Sequence, residues 1–382
     1  MLQKDYSKEA TNEYKKLLFA LAVSYRDCVM GKQPSQLPEN TDFEKLLALA
    51  ESQAVIGGIY PAVKCSNCPP HILKKWTDKA YLALSKEILF DNELSKVRKE
   101  FENAKIRFVP MKGIVIKNFY SGKGIRQFCD YDVLVDESRA DEAKILMCSL
   151  GYDVDKMDVK EKEVHQFDSV INCKKAPMFN FELHKKLFGF ESHPYFDSIW
   201  DRIIFDSEES VEGRMSDEDL YLFHVAHFFA HFKERNGAGI RYLADHYVLK
   251  QKLTSSCGFD RVYVENVLKQ EKMLDFEKYA DECVEALFLK EKPDLEKLKP
   301  FLENGVHGTL ENNMKLGVEK SGKFRFILKL AFPSLPIMQL SYEILRKYPF
   351  LLPFCYIHRV FAIAFNKKRR NIAKRDFGMI LK

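Results

Sequence analysis

The sequence has no apolar run that is long and unbroken enough to cross a bilayer. Its most apolar stretch, YPFLLPFCYIHRVFAIAF at residues 348–365, is interrupted by Pro349, Pro353, His358 and Arg359. Because proline and charge break a membrane span, we expect no transmembrane helix. The N-terminus, MLQKDYSKEATNEYKK, is polar and charged, so we also expect no secretory leader.

The sequence has few cysteines and little excess of charge of either sign. The 9 cysteines are scattered and odd in number, which together with the missing leader predicts a reducing, cytoplasmic location. Cys65 and Cys68 form a CxxC pair, but the next cysteine, Cys129, stands alone, so we interpret the pair as incidental rather than as half of a zinc site. Lys+Arg 60 against Asp+Glu 55 excludes a polycation that coats nucleic acid, and any basic surface must be local.

Internal repeats and low-complexity linkers are absent too, and the 382 residues with 46% hydrophobic content favour two or three folded domains. Residues 1–98 show helical spacing, for example in DFEKLLALAESQAVIGGIYPAV after a capping Asp42. Residues 99–205 alternate between strand and helix patterns. Residues 206–382 return to helical patterns and end in a basic tail. Together, the three segments predict an α+β fold with helical regions on both sides of the middle segment.

The middle segment contains RQFCDYDVLVDE, a strand pattern that carries two aspartates. Side chains two apart share a face of a strand, so Asp130, Asp132 and Leu134 project together. Two like charges so close repel each other, and a divalent cation is the common remedy because carboxylate oxygens are hard ligands.

A second alternating strand, MFNFELH, follows. Its two faces are Phe179, Phe181 and Leu183 toward a core, and Asn180, Glu182 and His184 on the other side. If this strand lies beside the first, Glu182 becomes a third carboxylate at the same site. Three carboxylates can hold two Mg²⁺ or Mn²⁺ ions about 3.5–4 Å apart, which activate an attacking hydroxyl and neutralise a leaving pyrophosphate.

A phosphate-binding turn is predicted upstream, in MKGIVIKNFY. Gly113 lies at a strand-to-helix turn, where the missing side chain lets backbone amides approach a phosphate. Lys112 and Arg126 supply nearby cations. Together these residues predict a triphosphate cradle that faces the metal ions.

These segments, followed by DEDLYLFHVAHFFAHF and IRYLADHYVL, resemble the uncharacterised nucleotidyltransferase family of the DNA polymerase β-like superfamily. That family's pattern is Leu-Lys-Gly, an Arg, an Asp-x-Asp strand, Glu/Asp-Leu-His and a His-rich helix, and the resemblance covers most of the chain. It implies a polymerase β-like nucleotidyltransferase core with a small mixed sheet. Met111, Cys129 and Tyr131 depart mildly from the pattern, and Lys-Gly stands where the wider superfamily has Gly-Ser.

The resemblance also implies roles for individual residues. The catalytic and metal-binding carboxylates are Asp130, Asp132 and Glu182. The residues expected to bind the nucleotide are Lys112, Gly113, Arg126 and His184, and His184 has the alternative role of orienting Glu182. No catalytic position of the family is missing.

The implied reaction is Mg²⁺-dependent transfer of a nucleoside monophosphate from an NTP, ATP included, to a hydroxyl, with release of pyrophosphate. A sugar phosphate or glycan precursor, another small hydroxyl compound, a protein side chain and an RNA end all remain open as acceptors. A small molecule or glycan precursor is favoured, and RNA is disfavoured by the near-neutral charge. The alternatives are a catalytically silent nucleotide-sensing module and a toxin-like enzyme that acts on tRNA.

Two further patterns leave their role open. His224, His227 and His231 share one helix face, and they either hydrogen-bond between helices, line the cleft opposite the metals, or bind zinc. The tail KKRRNIAKR, residues 367–375, has six cations in nine residues. It is a solvated helix end, a contact to RNA or, beside the aromatic stretch 348–365, a contact to an anionic membrane surface.

Overall fold

The computed structural model describes residues 3–154, 170–188, 193–235, 238–254, 258–303, 305, 318, 322–335, 338, 342 and 344–365. These residues form two compact units. The described residues up to Gly305 belong to the first unit, and those from Val318 onward belong to the second. The basic tail at 367–375 lies outside the described residues. The domain boundaries that we expect near residues 98 and 205 stay a prediction.

Four helices open the first unit: α1 (Gln3–Val29), α2 (Phe43–Ser52), α3 (Ile56–Lys64) and α4 (Pro70–Asn103). Asp42 caps α2 as expected, since its side chain accepts a hydrogen bond of 3.0 Å from the amide of Lys45. Such a cap stabilises a helix by about 1 kcal/mol. The helical spacing across residues 42–63 is divided between α2 and α3, because Ala54 has a φ of 52° and a helix cannot continue through the left-handed region.

A five-stranded mixed sheet forms the centre of the first unit. Its strands are β1 (Phe108–Pro110), β2 (Tyr131–Val135), β3 (Asp153–Val154), β4 (Val170–Lys175) and β5 (Phe179–His184). The spatial order is β1-β2-β5-β4-β3, with β2 and β5 parallel and the other pairs antiparallel. The short helix α5 (Gly113–Ile116) connects β1 to β2, and α6 (Ala140–Ser149) connects β2 to β3. The predicted α+β class with a small mixed sheet is confirmed.

The sheet has a different hydrophobic core on each face because its side chains alternate. Tyr131 and Val133 of β2 pack with Phe181 of β5 and Phe90 of α4 in one core. Leu134, on the opposite face, belongs to the larger core that the helices build. The face that carries Asp132 therefore lies against the helical part of the molecule.

The remainder of the first unit is mainly helical. Its elements are α7 (Pro194–Asp197), a two-stranded sheet of β6 (Ile204–Phe205) and β7 (Gly213–Arg214), α8 (Asp217–Arg235), α9 (Ile240–Leu253), α10 (Arg261–Gln270), α11 (Leu274–Val284) and α12 (Leu295–Leu302). The helices α8 and α9 pack on each other and contribute buried residues such as Phe228 and Leu243 to the larger core.

The described part of the second unit contains the helices Lys323–Ala331, Ile344–Lys347 and Leu352–Phe365. Met338, Leu345 and Cys355 form a small core of their own. Among the helices that the structure describes, none combines the length and the hydropathy needed to cross a membrane. This agrees with the interrupted character of the stretch 348–365.

Candidate active site

Two carboxylates face each other on neighbouring parallel strands. Asp132 of β2 is paired in register with Glu182 of β5, so the predicted adjacency of the two strands is confirmed. Ligand atoms of Asp132, Glu182 and His184 all lie within 4.8 Å of one another. Asp132 is only 5% exposed, and burial of two facing carboxylates is costly unless cations compensate them.

Asp130 lies directly before β2, which begins at Tyr131. It is outside the cluster of three but acts electrostatically with it: burial, and then the charges of Asp132 and Glu182, raise the pKa of Asp130 to about 6. The convergence of all three carboxylates on one ion stays a prediction. A cation placed among them would relieve the repulsion.

Asp132 already has two partners on one oxygen. The ammonium of Lys112 donates to its Oδ1 at 2.7 Å, and Nε2 of His184 lies 2.8 Å from the same oxygen. Burial alone would raise the pKa of Asp132, but the charge of Lys112 and the hydrogen bond from His184 lower it below its usual range. Burial and the charge of Lys112 also lower the pKa of His184. At neutral pH the cluster therefore contains an ionised Asp132 and a neutral His184.

Lys112 itself has an unusual backbone, with φ 49° and ψ −121°. A residue with a side chain adopts this conformation only where its surroundings impose it, at a cost of roughly 1–3 kcal/mol. The imposing contacts are the hydrogen bond of 3.0 Å from the Met111 amide to the Asp132 carbonyl and that of 3.0 Å from the Ile116 amide to the Lys112 carbonyl. The turn therefore holds Lys112 against the carboxylates.

Gly113 and Arg126 are brought together, at a buried ion pair. Nε and Nη2 of Arg126 donate to the two carboxylate oxygens of Asp245 at 2.7 and 2.9 Å, and Tyr120 donates its hydroxyl to the same carboxylate at 2.7 Å. A Cβ on Gly113 would lie 2.7 Å from Nη1 of Arg126, so a side chain here would force this ion-paired guanidinium to shift. A direct phosphate contact by Arg126 stays a prediction.

The loop before β2 is packed tightly on α3, which sequence reasoning missed. A Cβ on Gly57 would lie 2.0 Å from the carbonyl oxygen of Gly124. The side chain of Gln127 accepts a hydrogen bond of 2.7 Å from the amide of Ile56. The paired glycines at 57 and 58 were the available signal, because adjacent glycines in a helix often mark a close backbone approach.

Arg241 of α9 is a further cation near the carboxylates. Its charge lowers the pKa of Asp130 and of Asp245. Its Nη1 donates to the carbonyl of Gln127 at 2.5 Å, while its buried Nε has no hydrogen-bond partner among the described residues. The segment IRYLADHYVL, which contains Arg241, was expected to hydrogen-bond between helices or to line the cleft opposite the metals, and its local spacing did not pair Arg241 with Asp130.

The three histidines of α8 have separate surroundings. His224 is buried and stacks on His246 of α9, with ring centroids 5.4 Å apart. His227 and His231 meet through their Nε2 atoms at 3.0 Å. The pKa of His227 lies well below its usual value because of burial, then His231, Lys112, His224 and His184. The cleft-lining role of this helix face stays a prediction.

The residues fit a divalent cation. Asp132, which is ionised, and Glu182 each offer an oxygen ligand. The neutral imidazole of His184 offers a nitrogen ligand. Magnesium and manganese prefer oxygen ligands, and manganese also accepts imidazole. In the described part of the chain this is the one group of three or more such residues close enough to share an ion.

The sequence profile of a family described as uncharacterised nucleotidyltransferase matches residues 39–288. The chain belongs to this family. The matched range contains α2 to α11, the whole sheet and every residue of the candidate site, so the family expected from the motifs is confirmed. The fold of this nucleotidyltransferase is accordingly a small mixed sheet flanked by helices.

No curated protein sequence matches the chain. Among solved structures, the solution structure of the antibiotic-resistance factor ANT(2'')-Ia is similar, with a TM-score of 0.32 and 11% sequence identity. The similarity covers 50% of this chain and 95% of that one. At this TM-score the likeness carries no argument about activity.

Proposed function

We propose that the protein is a divalent-metal-dependent enzyme that transfers a nucleoside monophosphate from an NTP to a hydroxyl and releases pyrophosphate. The observation that carries the proposal is the pair of facing carboxylates, Asp132 and Glu182, with the ammonium of Lys112 on Asp132. Family membership supports nucleotidyl transfer in general. This proximity supports a role of the carboxylates as metal ligands and of Lys112 as a phosphate-binding cation.

Asp130, Asp132 and Glu182 are the proposed metal-binding residues, with His184 beside them. An ion held by these residues would supply positive charge to the attacking oxygen and the leaving pyrophosphate. Lys112 exchanges its bond to Asp132 for the β- and γ-phosphates, and the amide of Gly113 contacts the same phosphates. The ion pair of Arg126 with Asp245 supports the Gly113 turn, whether or not Arg126 also contacts phosphate.

The proposed reaction forms one phosphorus–oxygen bond and breaks another. The acceptor oxygen attacks the α-phosphorus of the NTP, and the bond from this phosphorus to the bridging oxygen of pyrophosphate breaks. The hydroxyl proton passes to the carboxylate of Glu182, and the products are a nucleotidyl ester and pyrophosphate. Transition-state charge lies on the phosphoryl oxygens, where Lys112 acts.

The proposed acceptor is a small molecule or a glycan precursor with a free hydroxyl. The near-neutral charge of +5 supports this class over RNA. The proposed location is the cytoplasm, which is supported by the lack of a disulfide among the eight cysteines in the described part of the chain.

A rival proposal is a nucleotide-sensing module without turnover. One observation favours it: Lys112 and His184 both lie against Oδ1 of Asp132, so the protein itself supplies partners that hold the cluster together without turnover. Such a module binds Mg·NTP and releases no pyrophosphate. A toxin-like enzyme acting on tRNA is a third candidate. The fraction that becomes labelled in the test below distinguishes it from the other two.

The test is incubation of the wild type and Asp132→Asn with each α-labelled NTP, Mg²⁺ or Mn²⁺, and a lysate separated into small-molecule, protein and RNA fractions. Asp153→Asn is a matched control, because Asp153 is exposed on β3. We expect label transfer to the small-molecule fraction by the wild type and the control, and none by Asp132→Asn.

Transfer that survives in Asp132→Asn contradicts the assignment of this carboxylate. Label in the RNA fraction supports the toxin-like candidate. Absence of transfer together with calorimetric binding of Mg·NTP supports the sensing module.

We further propose a peripheral contact of the second unit with an anionic membrane surface. Phe350 and Phe354 are 72% and 67% exposed, and large exposed aromatic side chains beside cations suit an interface. The cations are those of residues 367–375 in the sequence. Full-length protein should co-sediment with phosphatidylserine vesicles, and a chain truncated after Phe365 should bind less. Absence of binding by the full-length protein ends this proposal.

A further inference from the structure

His227 and His231 form a close pair on α8. They are four residues apart and therefore adjacent on one helix face. Their Nε2 atoms are 3.0 Å apart, and the ring centroids are 4.4 Å apart with planes at 72°. The two nitrogens are therefore close enough to share either a proton or an ion.

This spacing fits two ligands of one metal ion. Zinc–imidazole bonds are about 2.0–2.1 Å, so two nitrogens at roughly 90–110° around one ion lie about 2.9–3.4 Å apart. The observed 3.0 Å falls within that range. A hydrogen bond between neutral imidazoles has the same spacing, and binding measurements separate the two.

The surroundings keep the pair ordered and ready to bind. The ring of Tyr242 lies 6.1 Å from that of His227 and 5.4 Å from that of His231, which limits their rotation. Both histidines are half-buried. His227 is held neutral by burial and by the nearby positive charge of Lys112, and only neutral imidazole binds a metal.

The donor type decides which ion the pair prefers. Imidazole suits zinc, cobalt, nickel and copper, while magnesium prefers carboxylates and water. Asp132, Glu182 and His184 form a group that does not include the pair. The two sets therefore offer different ligands.

We propose that His227 and His231 bind a borderline first-row ion of the Zn²⁺ or Co²⁺ class, at a site separate from the carboxylate cluster. Two protein ligands leave the remaining coordination positions open to water or to an anionic group. The site does not depend on the proposed transferase activity, because it requires only the geometry of α8.

The test uses metal-free full-length protein in which Glu182→Gln weakens the carboxylate cluster. Calorimetric titration with Zn²⁺ should then show about one bound equivalent. In the same background His227→Ala and His231→Ala should each abolish this binding. His71→Ala, an exposed histidine of α4, should leave it unchanged. Circular dichroism establishes that each variant is folded.

A second readout does not depend on the alanine variants. Cu²⁺ bound to the Glu182→Gln protein should give an electron paramagnetic resonance spectrum with hyperfine coupling to two imidazole nitrogens. Failure of the Glu182→Gln protein to bind Zn²⁺, or Zn²⁺ binding that persists in folded His227→Ala, overturns the proposal. Coupling to fewer than two nitrogens also overturns it.

Discussion

Replacement of Asp245 by asparagine tests whether Arg126 is held by a buried ion pair. The two side chains are 7% and 3% exposed, and the pair is bidentate. Removal of the negative charge leaves the guanidinium of Arg126 buried without a counter-ion. The amide nitrogen of the new asparagine would also face a donor of Arg126.

The expected loss follows from the contacts that remain. Removal of one charge of a buried pair costs about 3–5 kcal/mol. The asparagine oxygen can still accept from Tyr120, which donates to Asp245 at 2.7 Å. We therefore expect Asp245→Asn to lower the unfolding free energy by about 3 kcal/mol, the lower end of this range.

The pH dependence has a definite sign. Burial opposes ionisation of Asp245, but the charge of Arg126 and its hydrogen bonds hold the pKa of this carboxyl below its usual value. A lowered pKa contributes stability above the unfolded value of about 3.9, and the contribution is lost as the pH falls through the folded pKa. The difference between wild type and Asp245→Asn should therefore shrink below about pH 4.

The assay is guanidinium unfolding followed by tryptophan fluorescence. The chain has 2 tryptophans, Trp76 and Trp200, and both lie in the first unit, so the signal reports the unit that contains the pair. Glu142→Gln is a control: its ion pair with Arg139 is largely exposed, and we expect no measurable change. A loss below about 1 kcal/mol in Asp245→Asn would refute the reasoning.

Three further predictions concern the same region. Gly113→Ala should lower the unfolding free energy by about 1–3 kcal/mol, because the added Cβ lies 2.7 Å from Arg126; an unchanged fluorescence transition would contradict this. Lys112→Gln should weaken calorimetric binding of NTP by about tenfold or more but spare the nucleoside, and an equal effect on both would exclude a phosphate contact. EDTA should abolish pyrophosphate release, with recovery on addition of Mg²⁺ or Mn²⁺, and release that persists in EDTA would remove the metal from the proposal.

The alternation of polar and apolar residues along the two strands predicted the site better than the Asp-x-Asp motif alone did. Alternation in MFNFELH placed Glu182 opposite to Phe181, and the structure confirms this with Phe181 fully buried in the core. Alternation along β2 also placed Asp132 and Leu134 on one face of the sheet, opposite to the face that carries Phe181. Such predictions succeed because the period of two is a property of the strand backbone itself.

Local patterns were less informative where the backbone departs from a regular form. The helical spacing at residues 42–63 runs through the break at Ala54, because apolar residues on either side continue to face the same core. Asp130 precedes its strand rather than lying within it. Periodicity reports which residues are buried, and it does not report where a backbone torsion changes sign.

The contacts that assemble the site come from distant parts of the chain. Arg126 and Asp245 are 119 residues apart, and Lys112 and Asp132 are 20 apart. Gly113 was predicted to contact phosphate, and the structure also places it against the Arg126 guanidinium. Nothing in the local spacing identifies these partners.

The sequence by itself determined the α+β class, the family and the carboxylates that share a sheet face, because strand alternation and motif order are local properties. Only the tertiary structure decided that Lys112 and His184 meet on one oxygen of Asp132. It also decided that Arg126 is paired with Asp245. These pairings depend on how strands and helices pack in space, and packing is set by the burial of the whole core rather than by any one segment.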